Sequence, residues 1–229
     1  MTADVRIWLL PTESCDAATL DAAQRLLDGA EAARAARFHF ASDRRDFVLA
    51  HALLRLALSD AAPAPPQSWC FTADADGKPR LNPGRAGLHF NLSHTRGMVG
   101  CVVGAMPGLG FDVEHLGRGP ARDLADTVLS PAERATLRAL GPEARAERFL
   151  RHWTLKEALL KATGHALRLP LTQFGFALEP IRLDPGGLEP LAGRWHFEQR
   201  LLAPGHVAAV ALAGGAALVE WRVLAALPV

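Results

Sequence analysis

Pro107-Gly108-Leu109-Gly110-Phe111-Asp112-Val113-Glu114 divides the chain. Proline and glycine punctuate whatever precedes them, and the residues that follow alternate apolar and other as a strand does. Residues i and i+2 of a strand share a face, so Asp112 and Glu114 point together while Phe111 and Val113 turn toward a core. Immediately upstream, residues 88–92 and 98–105 read as two strands, the second continuously apolar as a buried strand should be. Two halves, 1–107 and 108–229, meet at this break.

Working outward, the first half opens with a strand over 5–10, a helix over 17–36 and a second helix over 43–58 that Ser42 or Asp43 would cap. Pro63, Pro65 and Pro66 end that helix, residues 69–72 form a short strand, and Asp76-Gly77-Lys78-Pro79 is a turn. In the second half, Ser130-Pro131-Ala132-Glu133 is a capping box with proline at the first helical position, opening a helix to Leu140. A longer helix from about residue 143 ends at Gly164, and strands follow at 174–178, 194–199, 207–212 and 217–224. Helices and strands come in runs, which argues for an α+β fold. Each half has a similar order of elements, and a cleft between two such halves is a natural ligand site.

The 229 residues carry 25 basic and 24 acidic side chains, a net charge of +1. A protein that coats nucleic acid shows a basic excess, so no nucleic-acid partner is expected, whereas a small phosphorylated ligand needs only a few placed cations. No apolar run is long enough for a membrane span, residues 1–6 lack a leader pattern, and Cys15, Cys70 and Cys101 are scattered without metal or disulfide spacing. The expectation is a soluble cytoplasmic protein. Lysine occurs only at 78, 156 and 161 in a chain otherwise supplied by arginine, either from compositional bias or because a compact charge is wanted there.

Five segments carry chemistry-bearing residues, each with a plain structural alternative. Asp112 and Glu114 repel one another, by about 4 kcal/mol at 4 Å and an effective dielectric of 20, so either water screens them or a cation lies between them. Trp153, Glu157 and Lys161 rise along one helical stripe, with Lys156 beside it. That stripe is either a surface Glu–Lys pair or a third carboxylate and a set of lysines for a metal and a phosphate. Asn91-Leu92-Ser93-His94 ends a strand as a polar turn or as donors to phosphate oxygens. Gly77-Lys78-Pro79 is a β-turn or an anion-facing amide and ammonium. Arg44, Arg45, His51 and Arg55 on the early helix form a solvated face or a phosphate clamp.

In this order, Gly77-Lys78-Pro79, Phe90-Asn91-Leu92-Ser93-His94, Gly110-Phe111-Asp112-Val113-Glu114 and Trp153-x-x-Lys156-Glu157-x-x-x-Lys161 resemble the larger, Sfp-type branch of the 4′-phosphopantetheinyl transferases. The resemblance runs from about Arg37 to Leu167. It departs at Gly164-His165-Ala166-Leu167, where relatives often carry a second glycine. It implies two α+β halves related by a pseudo-twofold axis, with coenzyme A in the cleft between them. It also implies a monomer that passes the 4′-phosphopantetheine arm to a serine of an acyl- or peptidyl-carrier protein, the conversion of a holo-carrier-protein synthase. Magnesium would be held by Asp112, Glu114 and Glu157, with Lys161 on the pyrophosphate. Lys78, Ser93, His94 and Arg45, or Arg44 in its place, would contact the coenzyme, alongside Gly77, Pro79 and Asn91. Glu157, Lys161 and Asp112 would be the catalytic set. Two other readings are a non-catalytic coenzyme A or carrier-protein binding module and a magnesium-dependent phosphohydrolase.

Overall fold

The computed structural model describes residues 4–73, 79–82, 87–117, 124–164, 169–215 and 217–229. The chain forms two compact units, residues 1–107 together with 218–229, and residues 108–217. The break at Pro107-Gly108 is therefore a unit boundary, but the expected second half loses its last segment to the first unit.

The first unit contains β1 (Val5–Pro11), α1 (Ala17–Gln24), α2 (Gly29–Ala35), α3 (Ala41–Ala61), β2 (Phe71–Ala73), β3 (Pro79–Leu81), β4 (His89–Thr95) and β5 (Met98–Gly104). The second contains β6 (Leu109–His115), α4 (Leu124–Val128), α5 (Pro131–Arg138), α6 (Pro142–Thr163), β7 (Gly175–Leu178), β8 (Ile181–Asp184), β9 (Trp195–Leu202) and β10 (His206–Ala213). The last strand, β11 (Val219–Val223), pairs parallel with β1. The sheets run β11-β1-β5-β4 and β6-β10-β9, and the small ribbons β2-β3 and β7-β8 are separate. Without β11, the two units have one plan: a first strand, short helices, a long helix, a ribbon, and a hairpin whose second strand lies beside the first strand.

The central strands explain this plan. All of β5 is buried, as is β10 except at Ala213, and a strand covered on both faces needs the near-continuous apolar run that both carry. In the first unit α3 lays Phe47, Leu53, Leu54 and Leu58 in a core with Trp8, Leu10, Phe90, Val99 and Val103. In the second, Leu155, Ala158, Leu159 and Ala162 of α6 meet Ala209 and Ala211 of β10. Gly164, at φ 74°, takes the left-handed conformation that ends α6.

Three local expectations change. The single helix over 17–36 is two, because Asp28 accepts from the Glu31 amide and Glu31 from the Asp28 amide, so a capping box restarts the helix at Gly29. α3 begins earlier than expected, at Ala41, with Phe40 at its N-cap and no side-chain cap. The strands β3 and β8 are additions of three and four residues, too short to announce themselves by alternation.

Candidate active site

Gly110, Asp112 and Glu114 occupy one face of β6, and that face lies against α6. A Cβ on Gly110 would stand 2.1 Å from the Ala158 carbonyl oxygen and 2.4 Å from the Ala162 nitrogen, so glycine lets helix and strand backbones approach closely. The carboxylates therefore do not reach into solvent from a strand end: Asp112 and Glu114 are 5% and 7% exposed.

The stripe on α6 meets them in antiparallel order. Lys161 Nζ donates to Asp112 Oδ1 at 2.7 Å and to the Phe111 carbonyl at 3.1 Å. Just over two turns toward the helix start, Trp153 Nε1 donates to Glu114 Oε1 at 3.1 Å, and its ring stacks with Phe149 at 6.4 Å. Glu157 lies between Trp153 and Lys161 on the stripe. Burial first, then the charges of Asp112 and Glu114, push its carboxyl up to about 7 against the opposing pull of Lys161. The sequence places Trp153 on the stripe, and the structure adds its indole N–H as a donor to Glu114. Tryptophan spaced i, i+4, i+8 with two charged residues was the available signal.

Among the described residues, no group of three or more His, Cys, Asp or Glu side chains is arranged to hold a metal ion. Asp112 is held by Lys161 and Glu114 by Trp153. Asp112, Glu114 and Glu157 are all oxygen donors of the kind a hard divalent cation takes, and burial first, then the charges of Asp112 and Glu114, drives Glu157 toward its neutral form.

The remaining expected contacts belong to the first unit. Asn91 and Ser93 share a face of β4 and are 7% and 8% exposed. His94 is exposed on the opposite face. Pro79 opens β3, and Gly77, Lys78, His165, Ala166 and Leu167 lie outside the described residues. Arg44 is exposed, whereas Arg45 Nη2 donates to the carbonyls of Thr12 and Cys15, tying α3 to the turn that follows β1.

Two groups read as phosphate-facing are structural. Arg55 is fully buried, donating from Nη2 to Glu31 Oε2 at 2.6 Å, and His51 Nδ1 stands 2.7 Å from Glu31 Oε1. Lys156 is also fully buried, with its Nζ 2.9 Å from Glu133 Oε2. A charged residue next to Glu157 looks exposed in the sequence, yet one helical step of about 100° turns it away from the stripe.

The comparisons fall on the same division. A family profile described as the 4′-phosphopantetheinyl transferase superfamily matches residues 108–211, and one described as 4′-phosphopantetheinyl transferase, N-terminal, matches residues 14–106. The chain is 35% identical over 216 residues to the 4′-phosphopantetheinyl transferase HetI of a Nostoc species, covering 92% of this chain and 88% of HetI. It is 31% identical over 158 residues to a 4′-phosphopantetheinyl transferase of Bacillus subtilis, covering 67% and 69%. It is also 28% identical over 142 residues to the 4′-phosphopantetheinyl transferase Sfp of Bacillus subtilis strain 168, covering 62% of each. With β6 and α6 inside the first profile, and with identity to HetI spanning nearly the whole chain, this protein belongs to the 4′-phosphopantetheinyl transferase superfamily.

Proposed function

We propose that the chain transfers the 4′-phosphopantetheine arm of coenzyme A to a serine of an acyl- or peptidyl-carrier protein and releases 3′,5′-ADP. The observation that carries the reading is the meeting of β6 and α6, where Lys161 stands 2.7 Å from Asp112, and where burial first, then the charges of Asp112 and Glu114, raises the Glu157 carboxyl. The serine hydroxyl attacks the β-phosphorus. The bond from that phosphorus to the oxygen bridging the α-phosphate breaks, and its electron pair leaves with 3′,5′-ADP. The serine proton passes to Glu157, directly or through one water. Lys161 stabilises charge on the phosphoryl and leaving oxygens.

We assign Asp112, Glu114 and Glu157 to hold magnesium, which when bound neutralises pyrophosphate charge. Asn91 and Ser93, polar and on one face of β4, are assigned to the coenzyme phosphates together with His94, Lys78 and the turn Gly77 to Pro79, and Arg45 to the same ligand. The free state of Cys15, Cys70 and Cys101 supports a reducing, cytoplasmic setting. The doubled plan within one chain supports a monomer. No helix among the described residues is long and apolar enough to cross a membrane.

Mass spectrometry of an apo carrier protein incubated with coenzyme A, magnesium and this chain tests the proposal. The expected result is a gain of one phosphopantetheine, abolished by Glu157→Gln. Near-normal transfer by that variant removes Glu157 from the mechanism, and coenzyme A cleavage without a carrier replaces transfer with hydrolysis.

A further inference from the structure

The chain builds one buried charge cluster twice. In the first unit, Glu31 at the third position of α2 accepts from its own N-cap amide, Asp28 N, at 3.0 Å, and from Arg55 Nε and Nη2 at 3.0 and 2.6 Å, with His51 Nδ1 at 2.7 Å. Arg55 Nη1 then donates to the carbonyls of Pro66 and Trp69, at 3.1 and 2.9 Å. In the second unit, Glu133 at the third position of α5 accepts from its own N-cap amide, Ser130 N, at 2.7 Å, with Lys156 Nζ at 2.9 Å and His152 Nδ1 at 3.2 Å. Lys156 Nζ then donates to the carbonyls of Leu171 and Phe174, at 2.7 and 2.6 Å. In both units the cation lies one helical turn after the histidine on the long helix. In both, the two carbonyls are three residues apart around a 3₁₀ turn, Pro66–Ser68 and Leu171–Gln173.

We propose that the Glu133–Lys156–His152 cluster is a positioning device that locks α6 in register over β6, and so sets where Glu157 and Lys161 stand. This rests on the reading of α6 as the helix that carries the transfer chemistry. An ammonium has three donors, and Glu133 and the two carbonyls use all three, so Lys156 has none to offer a phosphate. The first unit shows the cluster working without that chemistry, since the residue after Arg55 is Leu56 where the residue after Lys156 is Glu157. In the second unit the lock reaches further, because Glu133 Oε1 also accepts from the Phe176 amide at 2.9 Å. Four segments, the start of α5, α6, the 3₁₀ turn and β7, converge on one carboxylate and one ammonium. The neighbouring residue on α6 is the one whose placement against Asp112 and Glu114 matters.

The test uses the full chain carrying Lys156→Met, Glu133→Gln, both together, or Lys156→Arg. Its readouts are kcat, KM for coenzyme A and amide hydrogen exchange along α6. We expect Lys156→Met to lower kcat at least tenfold while KM for coenzyme A moves less than twofold, and to speed exchange at residues 157–161. The double variant should recover at least threefold of that loss, because it leaves no buried carboxylate without its cation. Lys156→Arg should keep at least a third of kcat, since arginine fills the same shell in the first unit. A tenfold rise in KM with kcat retained, or a double variant no better than Lys156→Met, would make Lys156 a substrate contact and overturn the proposal. So would a loss of melting temperature alone, with kcat and exchange unchanged. If the unaltered chain transfers nothing, the function falls, and exchange still decides: acceleration confined to residues 153–161 sustains the lock, and its absence ends it.

Discussion

At the scale of single residues, the proposed roles separate side chains that react from side chains that aim them. Trp153 belongs to the second kind. Its N–H is a donor to a buried carboxylate, Glu114, at 3.1 Å, and a hydrogen bond to a charged group contributes about 1.5–3 kcal/mol. Trp153→Phe keeps a ring to stack on Phe149 and removes only the donor. The expected outcome is a kcat lower by roughly tenfold or more with an unaltered circular dichroism spectrum; unchanged kcat would show that Glu114 needs no such partner. Asp112, Glu114, Glu157 and Lys161 were legible in the sequence because two periodicities, two on the strand and nearly four on the helix, each put their charges on one face. The inward placement of Lys156, His51 and Arg55 is not legible there, because a charged side chain is ordinarily exposed. The missing clue was relational: His-x-x-x-Arg and His-x-x-x-Lys each follow a capping-box glutamate, and that glutamate needs a partner once buried.

At the scale of elements, the site depends on how closely α6 lies on β6. Gly110→Ala tests this directly, because its Cβ would meet helix backbone at 2.1 and 2.4 Å, and backbone yields less readily than a side chain. Overpacking of this kind costs about 3 kcal/mol, which in a chain of this size lowers the melting temperature by roughly 6–12 °C. We expect that loss in calorimetry together with a loss of transfer greater than that of an alanine placed at exposed Gly141, where a Cβ meets nothing within 4 Å. Two helix ends were legible because they are written in capping chemistry, the Ser130–Glu133 box that starts α5 and Gly164 that stops α6, whereas α3 and α6 start without a side-chain cap. The break between α1 and α2 was overlooked although Asp28-Gly29-Ala30-Glu31 carries the same signature, since the helix-forming alanines on either side masked it.

At the scale of the molecule, each unit folds around a buried glutamate, and the acid limit of stability follows from the pair. Burial pushes the Glu31 carboxyl up, but His51, the Asp28 amide and Arg55 more than reverse it. The same holds for Glu133 through His152, Lys156 and the Ser130 amide. Both sit below their ordinary 4.5 in the folded chain. As pH falls, the unfolded chain takes up these protons first, so their contribution is complete above 4.5 and disappears as pH drops through the folded values. Melting temperature measured between about pH 3 and 6 should fall steeply toward the acid end, and less steeply in Glu31→Gln and Glu133→Gln. The sequence showed two halves but not the return of residues 218–229 to the first, because apolar alternation marks a strand without naming its partner. That return supports the last prediction, truncation after Ala217. The deleted segment pairs Val219–Val223 with Val5–Leu9, donates Leu224 N to Leu9 O at 2.8 Å, and seats Leu227 in the core beside α3. It also places Arg222 3.1 Å from Asp60 and over the Trp8 ring at 4.7 Å. Without it β1 becomes an edge strand and the core of the first unit opens at one end. Amides of β1, β5 and α3 should then exchange faster, while β6, β10 and β9, which hydrogen-bond among themselves, keep their protection; equal loss in both sheets would show that the two units unfold as one.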